Sequence, residues 1–114
     1  MSTIRKVHED PKECPIIRTI DYIGNKWKPV ILVLMVDGPI RFGRIQLYLP
    51  SISRKILTEQ LREMEASGLI TRVRFIEKVP RVEYALSEKG RSLAPVLQAL
   101  YDWGVKEMVG EAVS

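Results

Sequence analysis

Ser51-Ile52-Ser53-Arg54-Lys55-Ile56-Leu57-Thr58-Glu59-Gln60-Leu61-Arg62-Glu63-Met64-Glu65-Ala66-Ser67-Gly68 is the stretch on which the fold turns. Ser53 is a residue type that caps a helix, because its hydroxyl accepts from one of the first unpaired amides. Gly68 suits the left-handed backbone on which helices often end. Between them Leu57, Leu61 and Met64 recur at i, i+4 and i+7, with Ile56 and Gln60 flanking, so one narrow stripe is apolar. Lys55, Glu59, Arg62 and Ala66 point away from that stripe, and Arg54 and Thr58 lie on its shoulder. Arg54, Thr58 and Arg62 form one polar-basic ridge. A helix buried along one seam and basic outside fits a DNA major groove. A surface helix that merely carries basic residues has the same pattern, so its neighbours must decide.

Upstream, Ile40-Arg41-Phe42 reads as a short extended piece and Gly43–Leu49 as a brief helix with Ile45 and Leu49 inward. Pro50-Ser51-Ile52 then makes the turn, so residues 41–68 form a helix-turn-helix. Downstream, Leu69–Ile76 and Val82–Leu86 alternate and are rich in β-formers, with Glu77–Arg81 as the turn of a hairpin. A hairpin directly after a helix-turn-helix is a wing. Earlier in the chain, Cys14-Pro15 opens a helix to about Gly24 with Ile16, Ile20 and Ile23 on its apolar face. A second helix runs from near Asn25 to Asp37. Its Val30–Val36 run is apolar all round and predicts a central place in the core. Ser87 caps a last helix, Glu88 to about Val109, with a bend expected at Pro95. Its apolar surface is broader than one small core can cover, which predicts burial against a second copy.

The chain has 114 residues, enough for one domain with one modest core. Residues 1–13 are charged and aperiodic and read as a mobile arm, and residues 14–114 read as the single domain. The formal charge is +4, and it is localised. Residues 41–81 hold nine basic and four acidic side chains, net +5, while the rest of the chain is at −1. A positive middle on a near-neutral body points to a polyanionic partner. One cysteine gives no intrachain disulfide, and no apolar run approaches the roughly 20 residues that cross a bilayer. A cytoplasmic protein without membrane contact is the expectation.

The order of elements, helix, helix, short strand, helix-turn-helix, wing and terminal helix, resembles the winged helix-turn-helix regulators. Cys14-Pro15, Ile23-Gly24-Asn25-Lys26-Trp27, Asp37-Gly38-Pro39-Ile40-Arg41-Phe42, Ile52–Thr58, Leu61–Glu65, Val82–Leu86 and Gly90 are similar to motifs of the HxlR-type transcriptional regulator family. Asn25 stands where glycine is commoner, and Val79-Pro80-Arg81 is less proline-rich than usual. The resemblance implies an α+β winged helix-turn-helix with N- and C-terminal dimerisation helices. It also implies a homodimeric DNA-binding regulator, some of whose relatives sense oxidants or electrophiles through an N-terminal cysteine.

The expected DNA-binding set is therefore Arg41, Arg44, Ser53, Arg54, Lys55, Thr58 and Arg62, with Arg72, Arg74, Lys78 and Arg81 from the wing. The partner is double-stranded DNA at a pseudo-palindromic operator, with a small-molecule or oxidant effector as a further partner. Leu93, Leu97, Leu100, Tyr101 and Trp103 are the expected dimerisation residues. Cys14 has two readings. It is a small packed hydrophobe, or a redox switch at a helix N-terminus, where unpaired amides and the dipole favour an anion. With no second cysteine, any disulfide it forms must join two chains. An enzyme is disfavoured, since there is no nucleophile–base pair, no phosphate loop and no catalytic constellation. One His (His8) and one Cys are too few for a metal site, and no cofactor is expected. The competing reading is a winged-helix module that binds protein and not DNA.

Overall fold

The computed structural model describes residues 13–113. The expected arm lies outside them apart from Glu13, and so does His8. The elements run α1 (Pro15–Ile23), α2 (Trp27–Leu34), β1 (Ile40–Arg41), α3 (Phe42–Tyr48), α4 (Arg54–Ala66), β2 (Ile70–Phe75), β3 (Arg81–Leu86) and α5 (Glu88–Val113). The fold is α+β, with five helices around a three-stranded antiparallel sheet of order β1-β3-β2. The wing register runs from Ile70 opposite Leu86 to Phe75 opposite Arg81, and β1 adds Ile40 opposite Tyr84. No helix among the described residues is long and apolar enough to cross a membrane.

The core follows the stripe on α4. Leu57, Leu61 and Met64 are buried in one cluster with Ile31 and Leu32 of α2, Met35 at its end, Ile45 of α3, and Ile52, Leu69, Ile70, Leu86 and Leu97. Ser53 caps α4 as its residue type requires, its Oγ accepting from the Ile56 amide at 3.0 Å. Gly68 closes the helix with φ +83°, a conformation costly for any residue with a Cβ.

Helix α2 is shorter than its apolar pattern suggests. Asn25 lies outside it and caps it, with Oδ1 accepting from the amides of Trp27 (2.9 Å) and Lys28 (3.0 Å). At the other end Met35–Asp37 turn away, and Gly38 takes φ +135°. The all-round burial expected of Val30–Val36 does not occur. Ile31, Leu32 and Met35 are buried, but Val30 and Val36 are 40% and 44% exposed, because α2 packs on one side only.

Helix α5 is longer than expected and runs through Pro95 to Val113. Two of its expected dimerisation residues pack into this chain's own core. Leu97 is buried and Leu93 packs against the core cluster. Leu100, Tyr101 and Trp103 do face solvent, together with Met108. Helix α1 likewise buries no residue fully, and Ile16 and Ile20 remain more than half exposed. Lys89 of α5 donates to the Tyr22 hydroxyl of α1, and this bond and the lysine's charge hold the phenol below its ordinary pKa. The Cα radius of gyration is 16.6 Å, against about 13 Å for a compact 100-residue domain. The excess reflects α5 reaching past the core that its first three turns complete.

The start of α5 is fixed by Gly90. A Cβ at this position would lie 2.1 Å from the Leu69 carbonyl oxygen and 3.2 Å from its carbon. That overlap is with backbone, so a rotamer change cannot relieve it. Gly90→Ala should lower stability by about 1–3 kcal/mol or more, read as the urea midpoint. Gly110→Ala, where a Cβ meets nothing within 4 Å, should leave the midpoint unchanged or raise it slightly. Equal midpoints for Gly90→Ala and the parent would disprove the close approach.

Candidate nucleic-acid interface

On α4 the seam faces the core, so Arg54, Lys55, Glu59, Arg62 and Glu63 stand exposed on the outside. Their states differ. The Arg54 guanidinium lies over the Phe42 ring at 4.8 Å, which holds it between α3 and α4 with less rotamer freedom to lose on contact. Glu63 is paired with Lys28 of α2 at 3.1 Å, and its negative charge is drawn off the outer face. Thr58 turns its hydroxyl back, donating to the Arg54 carbonyl at 2.8 Å, so its methyl is what remains to offer. The Ser53 Oγ accepts from the Ile56 amide in the cap, which leaves its O–H free to donate outward.

Helix α4 is also held from behind. Gln60 is the buried polar side chain of the described core, and its Oε1 accepts from Asn25 Nδ2 at 2.9 Å. Asn25 thus caps α2 and grips α4 with the two ends of one amide. From the sequence, Asn25 reads as the approximate start of the second helix and as a departure from the family pattern. Its cap-forming residue type two positions before Trp27 was the available signal for half of this role.

In the helix-turn-helix, Arg44 is exposed and stacks on Tyr48 at 5.7 Å. Arg41 sits 3.9 Å from Glu83, with its side chain more than half exposed. In the wing, Arg72, Arg74 and Lys78 are exposed and form no ion pair among the described residues. Arg81 is different from what its position in the sequence suggests. It is the first residue of β3 and not part of the tip. Its Nε donates to Glu83 at 2.9 Å, Nη1 donates to Glu77, and the guanidinium stacks on Phe75 at 4.1 Å. Hydrogen bonds to Glu83 and Glu77 raise its pKa further above the ordinary arginine value. Arg81 is a brace for the hairpin, with its charge already neutralised.

Cys14 occupies the N-cap position of α1, with Pro15 following at N1, as the sequence predicts. It is a free, half-buried thiol whose side chain makes no capping hydrogen bond. Among the described residues no group of three or more His, Cys, Asp or Glu side chains is placed to hold a metal ion.

Comparison with known proteins agrees with this geometry. The profile of the HxlR-like helix-turn-helix family matches residues 22–111, so it starts after Cys14 and reaches further into α5 than the motifs read from the sequence. An uncharacterised HTH-type transcriptional regulator of Methanothermobacter thermautotrophicus is 45% identical over 96 residues, 84% of this chain and 73% of that protein. The solved reduced form of the redox regulator HypR is 40% identical, with a TM-score of 0.80 over 86% of this chain and 98% of that one. The reduced form of the transcriptional regulator YodB from B. subtilis is 35% identical, with a TM-score of 0.70 over 79% and 89%. The first and third of these are named as transcriptional regulators and the second as a redox regulator. With its helix-turn-helix, its wing and a family match over most of its length, the chain belongs to the HxlR-like helix-turn-helix family of transcriptional regulators.

Proposed function

We propose that two copies of this chain bind double-stranded DNA at a pseudo-palindromic operator in the cytoplasm and respond there to an oxidant or electrophile through Cys14. One observation carries the DNA reading. Helix α4 and the wing leave Arg54, Lys55, Arg62, Arg72, Arg74 and Lys78 exposed and, among the described residues, without an ion-pair partner, while Glu63 and Glu77 nearby are paired with Lys28 and Arg81. A module built only to bind protein has no need of that imbalance. In this reading α4 enters the major groove and the wing meets backbone oxygens. The domain is residues 14–114, with the preceding residues as an arm.

Selection from a random duplex pool should return a two-fold symmetric motif. Against it, Arg54→Ala or Arg62→Ala should cost about 1–3 kcal/mol and relax the preference at one position. Lys78→Ala should weaken all duplexes alike and lower the salt slope by about one unit. Arg81→Ala should change that slope much less, because its charge is already paired. Unchanged affinity in the Arg54→Ala, Arg62→Ala double mutant, or equal slope changes at Lys78 and Arg81, would contradict the assignment.

The dimer is proposed from the unpartnered apolar faces of α1 and α5, with Leu100, Tyr101 and Trp103 at its centre. Half-sites should then lie about 34–36 Å apart, or a multiple of that. Because these side chains face solvent, replacing them need not disturb the core. Leu100→Glu with Trp103→Glu should yield a folded monomer by light scattering, with operator binding lost. A double variant that stays dimeric would move the interface elsewhere.

The Cys14 response is supported by its N-cap position at the start of the exposed α1 face. HypR and YodB, solved in redox-defined forms, are structural neighbours. Diamide should change operator affinity of the parent chain, reversibly with a thiol reductant, and leave Cys14→Ser unaffected. Any disulfide should appear as a band of twice the chain mass, since one chain has no second thiol. Equal responses of parent and Cys14→Ser would make this residue structural.

A further inference from the structure

Where α2 gives way to β1, the turn Asp37-Gly38-Pro39 opens a cavity of about 490 Å³ that also borders α3 and β3. This volume is within the roughly 300–1,000 Å³ usual for small-molecule sites. Val33 and Leu34 of α2 and Ile40 of β1 give it an apolar wall. Gly38 leaves open space where a Cβ would stand. Four charged side chains also line it, in two different states. Glu83 is committed, accepting from Arg81 at 2.9 Å with Arg41 at 3.9 Å. Asp37 and Arg44 are not committed. Among the described residues the exposed Asp37 side chain has no hydrogen bond or ion pair, the exposed Arg44 has only the Tyr48 ring, and the two do not pair with each other across the cavity they share.

Opposite charges that line one cavity without meeting leave room for a ligand that carries both complements. We propose that this cavity binds a small zwitterion with an apolar body, the class of an α-amino acid with a large apolar side chain. Its carboxylate takes charge-assisted hydrogen bonds from the Arg44 guanidinium, a geometry that a planar fork makes two-pronged. Its ammonium faces the Asp37 carboxylate. Its side chain removes Val33, Leu34 and Ile40 from water, which favours binding in proportion to the apolar surface covered. A ligand with one charge covers the other protein charge without pairing it, and specificity follows from that penalty. A DNA phosphate shares only the Arg44 half of this chemistry.

One consequence rests on the DNA reading. Arg41 and Arg44 belong to the proposed DNA face, so a zwitterion on Arg44 withdraws that guanidinium from the duplex, and ligand and DNA oppose each other. By linkage the opposition is equal in both directions.

The full chain, without DNA, is titrated calorimetrically with L-phenylalanine, L-leucine and L-tryptophan. 3-Phenylpropanoate and phenethylamine serve as analogues carrying one charge each. At least one amino acid should bind saturably and raise Tm, as any ligand of the native state does. The single-charge analogues should bind about tenfold more weakly or worse. Asp37→Asn and Arg44→Gln should each weaken binding by about the same factor, with the Tm of the unliganded chain unchanged. Absence of saturable binding by all three amino acids overturns the proposal. So does 3-phenylpropanoate binding as tightly as L-phenylalanine, or unchanged affinity in both variants. A second arm adds a random duplex, whose affinity the ligand should lower in the parent and not in Arg44→Gln. Saturable amino-acid binding by a chain that binds no duplex would support the cavity and overturn the DNA reading alone.

Discussion

The carbonyl of Leu69 occupies the place where a side chain on residue 90 would begin, and four elements are arranged around that contact. The same oxygen accepts from the Ser87 amide at 3.0 Å. Ser87 Oγ donates to the Gly68 carbonyl and accepts from the Gly90 amide at 3.0 Å, and Arg91 donates to the Leu86 carbonyl at 3.1 Å. The end of α4, the start of β2, the end of β3 and the start of α5 are thereby locked to one another, by the Ser87 and Arg91 side chains as well as by backbone groups. Side chains can repack around a substitution, but backbone carbonyls in a hydrogen-bonded turn cannot move far. A helix of 26 residues, rising about 1.5 Å per residue, is a lever. Its direction is set at its first turn, so an error of a few degrees at Gly90 becomes ångströms at Met108.

The second constraint is the way charges are sorted. Exposed ion pairs contribute little to stability, so Lys28–Glu63 and Arg81–Glu77, each with its acid about half exposed, add little to the fold beyond the bracing of the hairpin by the less exposed Arg81–Glu83 pair. Their effect on the surface is clearer. Of the four acids among residues 41–81, Glu63 and Glu77 are neutralised, which leaves Glu59 and Glu65 against a larger set of unpaired cations. Arg81 adds rigidity to the tip end of the wing through Phe75, while Lys78 in the loop beyond it has no ion pair among the described residues. One arginine thus sets the hairpin's shape and its neighbours are left to meet a partner.

Much of this was legible from spacing. The stripe Leu57, Leu61, Met64, the Ser53 cap and the Gly68 terminus follow from helical period and residue chemistry, and the winged helix-turn-helix order follows from them. Spacing gives a face but not what covers it. Leu97 and Leu100 are one turn apart on α5, yet one is buried in this chain and the other faces solvent. Val30 and Val36 look as apolar as Ile31, and only the position of α2 at the edge of the core separates them. The state of a charge is equally hidden. Arg81 and Lys78 read alike until the register of β3 brings Glu83 and Glu77 to Arg81. The Asn25–Gln60 bond spans 35 positions, and no local pattern carries such a contact.

Helix α2 is the element through which these features meet. At its first turn Asn25 caps it and holds Gln60, so α4 cannot shift along α2 without breaking a part-buried amide pair. At its last turn Val33 and Leu34 form the wall of the Asp37–Arg44 cavity. Along its side Pro29, Val30, Val33 and Leu34 face Leu97, Leu100 and Tyr101 of α5 across an apolar groove of about 450 Å³. Packed helices move as units and not as fluids, because an interior at crystal-like density has few intermediate arrangements. A ligand shifts such an arrangement only by as much as it prefers one state over another. A molecule bound at the end of α2 therefore acts on the proposed DNA face directly, by occupying Arg44. It acts on the proposed dimer only if it also moves α2 against α5. The first route needs no conformational change, which makes direct competition the simpler basis for any control exerted from that cavity.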